Sequence, residues 1–454
     1  MSTATRSSEG SRVAVRRGQV SPPTALASIG LGGLLVLALW LHDTPAVIGF
    51  GGWLTNAGRL TGLVAGYAIA VILLLMARVP ALERGLGADR LARWHAMGGR
   101  YVVSLAVAHT LLIIWGYSVS AHTDVVSQTS SFIRSYPDVL MATVAVLVLV
   151  AIGVTSARAA RRRLAYETWH FIHLYTYLAV ALSFSHEFAT GADFVDNAPA
   201  RWLWSALYIA VAALLLWCRL AMPVRAALRH RLVVLGVRRE SADVVSVYIG
   251  GRHLGELATE PGQFFRWRFL TRDLWWAANP YSLSAAARPD WLRITVKVAG
   301  GHSAALSTLA PGTKVLAEGP YGGFTATRRT RRRVLLIAGG VGITPIRALF
   351  ETLPGYPGEI CLLYRANDIG EFVLREELEA IARSRGAELH LLPGRPGQGS
   401  SDQLAAERVT ALVPDVRQRD VFLCGPPGMM AAATRELRRA GVARRDIHRE
   451  SFVF

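Results

Sequence analysis

Four histidines lie within long apolar stretches of the chain and form two pairs with similar separations. His95 and His109 are fourteen residues apart in one stretch, and His173 and His186 are thirteen residues apart in another. An ionisable side chain at membrane depth is costly and normally faces a bundle interior, a cavity or a cofactor. At about 1.5 Å of rise per residue, fourteen residues correspond to roughly 21 Å along a helix. This spacing suits two metal centres stacked through a bilayer core about 30 Å thick.

Neutral imidazole is a common axial ligand of haem iron, so the four histidines predict two haem b groups, each held between two helices. A hydrogen bond between helices would explain one such histidine, but two pairs favour metal ligands. Because the third and fifth predicted spans run in the same direction, we expect His95 to pair with His173 and His109 with His186. Two questions stay open. His170 lies one turn from His173 and is a rival ligand, and thirteen residues place His173 and His186 about 140° apart around an ideal helix.

Six apolar segments of near-spanning length are predicted to position these histidines. They cover residues 24–41, 56–77, 96–118, 138–156, 169–188 and 201–221. Arginine clusters lie before the first segment, between the second and third, between the fourth and fifth, and at the end of the sixth. In chain order they are Arg12, Arg16 and Arg17; Arg78, Arg84, Arg90 and Arg93; Arg158, Arg161, Arg162 and Arg163; and Arg219, Arg225 and Arg229. The alternate connections are nearly free of Arg and Lys: residues 42–54 contain none, and residues 119–137 contain only Arg134. This asymmetry predicts a multi-pass cell-membrane protein, in contact with the lipid bilayer, with both termini and the soluble domains cytoplasmic.

Composition supports a chain that is partly embedded in a membrane. Hydrophobic residues make up 52% of the 454 residues and charged residues only 18%. The net charge is +18, but many of the arginines flank apolar segments, as the positive-inside rule describes. We therefore expect no nucleic-acid partner. The cysteines Cys218, Cys361 and Cys424 lack C-x-x-C spacing, which disfavours a disulfide scaffold or an iron–sulfur cluster. No cleavable signal peptide is evident at the N-terminus.

The pattern changes after the last apolar segment. Residues 230–327 consist of short alternating strands with Gly and Pro between them, which predicts an antiparallel β-barrel domain. Residues 333–454 alternate buried strands with helices, which predicts an α/β domain with a parallel sheet. The predicted fold class is therefore a multi-domain membrane protein. A cytoplasmic tail, residues 1–22, precedes a six-helix transmembrane bundle, residues 23–222, which the barrel and the α/β nucleotide-binding domain follow.

The barrel region contains residue types that suit flavin binding. Tyr281 offers an aromatic face to an isoalloxazine or ribityl group, and Ser282 and Ser284 offer hydroxyls to polar ring atoms. The glycine pair Gly300–Gly301 lets backbone amides approach a phosphate at the start of a helix. The predicted cofactor-binding set here is Asn279, Pro280, Tyr281, Ser282, Leu283, Ser284, Gly300, Gly301, His302 and Ser303.

A glycine-rich turn follows a buried strand of the α/β domain, where it suits a pyrophosphate. Its predicted nucleotide-binding residues are Gly339, Gly340, Gly342, Thr344 and Pro345. Cys424, Gly425 and Pro426 follow another buried strand and complete the predicted set. Arg365 follows a third strand, and its planar guanidinium suits the 2′-phosphate of NADPH. A surface salt bridge is the competing interpretation of Arg365, and a buried structural thiol is that of Cys424.

Three strings in this order, NPYSLSAA, VKVAGGHSAAL and EGPYGGF, resemble the FAD-binding barrel of the ferredoxin–NADP reductase superfamily. The paired-histidine spans resemble the membrane domain of the ferric reductase and NADPH oxidase family, so the resemblance covers the chain from about residue 55 to its end. It implies a flavocytochrome b with FAD, NADPH (NADH also possible) and two haem b groups. It also implies that nicotinamide lies near Cys424 and that a terminal aromatic, Phe452 or alternatively Phe454, covers the flavin; Phe452 and Cys424 are the predicted catalytic residues.

One position departs from the family pattern. Asn279 stands where the family carries Arg or His, so the flavin loses a charged contact, and Arg266, Arg268 and Lys297 are candidates to compensate. The implied reaction is electron transfer from cytosolic NADPH to an outer acceptor, which is a ferric or cupric ion, dioxygen or a partner redox protein. We favour metal reduction slightly because it needs no dedicated outer pocket. The alternatives are a membrane-anchored reductase component that donates electrons to a quinone or partner protein, and a non-catalytic haem-binding sensor.

Overall fold

The computed structural model describes residues 20–44, 47–161, 163–164, 166–257, 259–394 and 403–450. The chain divides into two compact units, residues 1–216 and residues 217–454. The first unit is entirely helical in its described part, and the second contains all the described strands. The boundary between them lies six residues before the predicted end of the transmembrane domain.

The first unit consists of nine described helices: α1 (Pro22–His42), α2 (Gly49–Leu75), α3 (Pro80–Leu86), α4 (Ala88–Ser120), α5 (Val125–Ser135), α6 (Val139–Ser156), α7 (Arg158–Arg161), α8 (Tyr166–Thr190) and α9 (Ala198–Leu216). Five helical segments in the described residues are long and apolar enough to cross a membrane: Pro22–His42, Gly49–Leu75, Arg90–Ser120, Val139–Ser156 and Ala198–His230. A helix of about 20 apolar residues spans a bilayer core, so these five agree with five of the six predicted spans.

The remaining predicted span, residues 169–188, corresponds to α8. This helix has 25 residues, but it is not among the five apolar segments. His170, His173, His186 and Glu187 lie within it and make it less apolar than its neighbours. Its role as a sixth span therefore stays a prediction.

One helix was not predicted in the connection between residues 119 and 137. Asp124 caps α5, because its carboxylate accepts hydrogen bonds from the backbone N–H groups of Val126 and Ser127, both at 3.0 Å. Aspartate is among the preferred residues at this position, since it satisfies amides that have no partner within the helix.

The second unit opens with a π-helical turn, Trp217–Ala221, and α10 (Met222–His230). Six strands follow: β1 (Val233–Ser241), β2 (Val244–Gly250), β3 (Phe264–Phe269), β4 (Asn279–Ser282), β5 (Leu292–Lys297) and β6 (Val315–Tyr321), with the short helix α11 (Gly301–Ala305) between the last two. They form two antiparallel sheets of three strands, in the orders β1-β2-β5 and β4-β3-β6. Residues of both sheets, including Ile249, Trp267 and Ile294, share one buried core.

The predicted barrel is therefore two small sheets over one core. Outside the regular ladders, the described strands are joined by two isolated β-bridges, Val233 to Lys314 and Leu283 to Ile294. The antiparallel character of the prediction agrees with the structure, whereas a continuous closed ladder is not present among the described strands.

The C-terminal part of the unit contains β7 (Arg333–Gly339), α12 (Ile343–Thr352), β8 (Ile360–Ala366), α13 (Arg375–Arg385), β9 (Glu388–Pro393), α14 (Ala406–Leu412), β10 (Arg419–Cys424), α15 (Pro427–Arg439) and β11 (Ile447–Glu450). The strands form one sheet in the order β11-β10-β7-β8-β9, and all four pairings are parallel. Separate apolar clusters lie on its two faces. Fully buried parallel strands read as continuous apolar runs, which is why the sequence predicted this domain.

The arginine run before β7 is held by carboxylates. Arg331 pairs with Asp446 at 3.1 Å, Arg332 with Glu359, and Arg333 with Asp415 at 2.6 Å. These side chains therefore belong to the surface of the α/β domain.

Candidate functional site

The structure brings the four membrane histidines together in the two predicted pairs. The ring centroids of His95 and His173 are 5.8 Å apart, and those of His109 and His186 are 6.3 Å apart. If each metal–nitrogen bond is about 2 Å, two imidazoles on opposite sides of one metal atom have ring centres roughly 6 Å apart. Both separations have the size expected for two histidines that bind one metal atom.

Hydrogen bonds orient three of the four rings. The Nδ1 atoms of His95 and His109 lie 3.1 Å and 2.8 Å from the carbonyl oxygens of Ile72 and Gly58, and that of His186 contacts the carbonyl oxygen of Ser183. A carbonyl oxygen only accepts, so each Nδ1 donates its proton and Nε2 keeps the lone pair that binds a metal. Metal-binding histidines almost always have such a second contact. The Nδ1 of His173 is buried without a hydrogen-bond partner among the described residues.

The unequal spacing in α8 does not interrupt the helix. It is continuous from Tyr166 to Thr190, so no break in the helix offsets the angle of about 140° between the two positions. The interplanar angle is 79° in the His95 pair and 45° in the His109 pair. His173 also stacks on Trp169 with a centroid distance of 5.1 Å, and it is His173 whose ring lies beside His95.

Three glycines that the sequence analysis did not use permit this arrangement. Gly58, Gly62 and Gly66 recur every four residues on α2. A Cβ at Gly62 would lie 2.6 Å from the Nδ1 of His109, and a Cβ at Gly58 would lie 2.8 Å from Ile113. Small residues at this spacing allow close helix packing in membranes, and the G-x-x-x-G pattern was the available signal.

In the barrel, β4 presents two of the predicted flavin contacts. The hydroxyl of Ser282 is buried and has no hydrogen-bond partner among the described residues. Buried polar groups are normally paired, so this hydroxyl suits a bound ligand. The backbone carbonyl of Tyr281 accepts from the Nε1 of Trp267 at 3.0 Å, which fixes the strand. Burial raises the pKa of Tyr281 to about 12, so its hydroxyl keeps its proton.

The side chain of Ser284 has hydrogen-bond partners within the protein. It is fully buried, and its hydroxyl accepts from the Nε of Arg293 at 3.0 Å and from the hydroxyl of Thr295 at 2.8 Å. The hydroxyl is engaged within the protein, and a contact between Ser284 and a flavin ring stays a prediction. Leu283 is likewise buried in the core of the barrel region.

The residues expected to compensate for Asn279 have partners of their own. Arg266 lies 3.6 Å from Glu318, Lys297 lies 3.0 Å from Asp243, and Arg268 donates to the carbonyl oxygen of Trp275 at 3.0 Å. Pro280 and Asn279 pair with Arg266 and Trp267 on β3. Compensation by these cations stays a prediction.

The glycine turn before α11 leaves room for a phosphate. A Cβ at Gly300 or Gly301 would meet no described atom within 4 Å, so neither glycine is required by packing within the protein. The hydroxyl of Ser303 accepts from the backbone N–H groups of Ala299 and Gly300, at 2.9 Å and 3.1 Å. Ser303 therefore shapes the turn, and His302 lies partly buried beside it.

The two predicted nucleotide turns are in contact. A Cβ at Gly342 would lie 2.5 Å from the carbonyl oxygen of Cys424 and 2.7 Å from the Cα of Gly425, so this approach requires glycine. Gly339 ends β7, and Gly340 adopts a left-handed φ of 52° with open space at its Cβ position. Thr344 and Pro345 are buried in the first turn of α12, and Pro426 caps α15.

Arg365 lies at the same edge of the parallel sheet. It pairs in register with Gly339 on β7 and Leu392 on β9. Its Nε is buried without a hydrogen-bond partner, and no carboxylate in the described part of the chain lies within 4.0 Å of it. The competing salt bridge is therefore absent among the described residues, and the guanidinium is available to an anion.

The predicted catalytic residues differ in what the structure says of them. Cys424 is fully buried at the end of β10. Burial, with a smaller effect of Glu450, raises the pKa of its thiol well above the ordinary value, so the thiol is neutral. Its catalytic role stays a prediction, and Phe452 and Phe454 lie outside the described residues.

Comparison with known proteins agrees with this division of the chain. Residues 61–184 match the family described as ferric reductase like transmembrane component, and residues 336–435 match the oxidoreductase NAD-binding domain. The chain joins a ferric reductase-like transmembrane domain to a ferredoxin-reductase-type FAD/NAD-binding module. Both matches agree with the resemblance that the sequence motifs indicated.

Individual relatives match about half of the chain. An NADPH oxidoreductase of Mycobacterium tuberculosis is 29% identical over 246 residues, which cover 52% of this chain and 63% of that protein. A flavohemoprotein of Bordetella pertussis is 29% identical over 279 residues, 55% of this chain and 68% of that protein. The FAD/NAD-binding domain of nitric oxide dioxygenase from Vibrio cholerae is similar with a TM-score of 0.41 and 25% identity, over 49% of this chain and 98% of that domain.

A partly buried ionic network links strand β5 of this FAD/NAD-binding module to helix α13 of the α/β domain. Arg293 on β5 binds both oxygens of Glu377 on α13, at 2.7 Å and 2.8 Å, while its Nε holds Ser284. Arg347 and Arg238 each donate to the same carboxylate at 3.0 Å. Bidentate pairs of this kind fix geometry as well as energy. The network was not predicted, because its members are far apart in sequence.

Replacing Glu377 by Gln should destabilise the soluble unit at neutral pH. Burial acts to raise the pKa of Glu377, but Arg293, with Arg347 and Arg238, outweighs it and lowers the pKa to about 2. The resulting stabilisation, at most about 3 kcal/mol, is present above the usual glutamate pKa and is lost as the pH falls towards 2. We expect the difference in apparent melting temperature between native protein and variant to shrink from neutral pH to about pH 4.

The matched control is Glu379→Gln, because Glu379 pairs only with Arg375 among the described residues, at 2.7 Å on the protein surface. Such exposed pairs contribute less than about 0.5 kcal/mol. Equal melting temperatures for the two variants at neutral pH would show that the Glu377 network does not stabilise the unit.

Proposed function

We propose that this protein oxidises cytosolic NADPH and passes the electrons through FAD and two haem b groups to an acceptor at the outer face of the membrane. The observation that carries this proposal is the pairing of His95 with His173 and of His109 with His186, at 5.8 Å and 6.3 Å. When bound, FAD accepts a hydride from NADPH and releases single electrons, which the haems carry through the bilayer.

The residues of the chain bind and orient these groups. Each histidine pair would hold one haem, and backbone carbonyl oxygens fix the direction of three of the rings. Ser282 offers a buried hydroxyl to the flavin, and the turn at Gly300 leaves space for its phosphate. Arg365 offers charge to the nucleotide beside the glycine turn. The reaction needs no nucleophile, which suits the neutral, buried thiol of Cys424.

The acceptor remains a ferric or cupric ion, dioxygen or a partner protein. A cleft of about 290 Å³ lies at the start of α2 and the end of α4, the predicted outer side. Thr55, Asn56, Arg59, Tyr117 and Ser120 contribute polar groups to it. Metal reduction was favoured because it needs no outer pocket. Since a cleft lies at the predicted outer side, this reason no longer favours one acceptor over another.

Replacing either His109 or His186 by Ala should lower bound haem from two to one per chain. We expect transfer from NADPH to an outer acceptor to be abolished, while NADPH-dependent reduction of ferricyanide by the soluble module is retained. The control is His42→Ala, because the His42 side chain is 83% exposed. Pyridine haemochrome analysis of purified protein measures the stoichiometry. Two haems in both variants would remove these residues from the ligand set.

Replacing Arg365 by Ala should raise the KM for NADPH by roughly 10- to 100-fold, because charge-assisted hydrogen bonds contribute about 1.5–3 kcal/mol. The KM for NADH should change little, since NADH lacks the 2′-phosphate. Arg408→Ala, at an exposed position on α14, is the control. Equal increases for both nucleotides would show that Arg365 does not select NADPH.

The alternative functions give different results in the same experiments. A component that donates electrons to a quinone or partner protein would reduce haem from NADPH but require that partner for turnover. A haem-binding sensor would bind haem and show no NADPH oxidation.

A further inference from the structure

A basic cleft of about 650 Å³ lies in the second unit, at the end of α10. Arg225, Arg229, Arg231, Arg252 and His253 contribute to its walls, and Val224 and Leu228 line it with apolar surface. None of these residues belongs to the flavin or nucleotide sites described above.

The positive charge of the cleft is not balanced within the protein. Glu256 pairs with Arg229 at 2.5 Å and lies 3.5 Å from His253. In the part of the chain that the structure describes, no carboxylate lies within 4.0 Å of Arg225, Arg231 or Arg252. Arg225 and Arg229 are also one helical turn apart, a spacing at which like charges repel. An anion in the cleft would relieve this repulsion.

The cleft residues lie at the end of, and just after, a helical segment that is apolar enough to cross a membrane. The apolar helical segment that contains α9 and α10 runs for 33 residues, from Ala198 to His230, whereas about 20 residues span a bilayer core. Its final turns therefore extend beyond the hydrocarbon region. Val224 and Leu228 are 48% and 68% exposed and lie beside Arg225 and Arg229. A basic amphipathic helix of this kind is typical of a membrane surface.

The opposite wall of the cleft is fixed in place. The backbone N–H of Arg252 donates to the carbonyl oxygen of His230 at 2.6 Å, and the Nδ1 of His230 lies 3.2 Å from the carbonyl oxygen of Arg252. Arg231 and His253 adopt left-handed backbone conformations, with φ of 43° and 53°. Such conformations are uncommon for residues other than glycine and concentrate at functional sites.

We propose that this cleft binds the phosphate headgroup of an anionic phospholipid. The guanidinium groups of Arg225 and Arg252 bind the phosphate oxygens, because the planar fork of arginine matches phosphate geometry. The acyl chains lie along Val224 and Leu228. The proposal does not depend on the electron acceptor or on the haem ligands.

The test is lipid retention by the full chain, purified in detergent and incubated with phosphatidylglycerol or phosphatidylcholine, with bound lipid counted by native mass spectrometry. We expect phosphatidylglycerol to bind at least roughly tenfold more tightly than phosphatidylcholine. The double variant Arg225→Gln/Arg252→Gln should lose this preference, and the single variant Arg225→Gln should weaken it. The control Arg239→Gln/Arg408→Gln changes two other exposed arginines and should keep it.

NADPH-dependent ferricyanide reduction confirms that each variant is folded, and the single variant replaces the double one if the latter fails this check. Equal binding of the two lipids, or an unchanged preference in the variants, would overturn the proposal. Inorganic phosphate distinguishes the ligand sources: displacement of phosphatidylglycerol by millimolar phosphate would show a free-phosphate site and contradict the lipid assignment, whereas retention supports it.

Discussion

A neutral imidazole in an apolar helix bundle has two ring nitrogens, and each requires a partner because no water is available to it. In the membrane unit, backbone carbonyl oxygens meet this requirement on one side of three rings. The rings lie in two pairs, with centroids 5.8 Å and 6.3 Å apart. Two of the carbonyl partners, Ile72 and Gly58, lie on α2, so α2 and α4 must pack closely. The glycine spacing of α2 follows from this need.

The second unit has a different requirement, because FAD and the nicotinamide nucleotide must be held at fixed positions relative to each other. Parallel strands place Gly339, Arg365 and Cys424 at one edge of the sheet. Gly342 lets the two turns at that edge touch. The pair Arg293–Glu377 then joins Ser284, which lies two residues after the end of β4, to helix α13. The bidentate hydrogen bonds of this network fix the position of the helix relative to the strand more specifically than apolar contacts do.

Much of this was readable from the sequence, for physical reasons. The histidine spacing follows from the constant rise of a helix, and the domain order follows from the change from apolar spans to alternating strands and then to buried strands. The hydrogen bonds of Ser284 to Arg293 and Thr295 were not predicted, because only the folded strands bring these residues together. The ion pairs of the arginine run before β7 could not be predicted, because its carboxylate partners, Glu359, Asp415 and Asp446, are brought to it only by the folded sheet.

The account depends most directly on a continuous path from nucleotide to the paired histidines. An anaerobic reduced-minus-oxidised optical spectrum of the purified full chain, with NADPH as the sole reductant, tests it. We expect haem b bands with an amplitude that corresponds to about two haems per chain. Bands that appear with dithionite but never with NADPH would contradict electron transfer from the soluble unit, and the absence of any haem band would contradict the assignment of the four histidines.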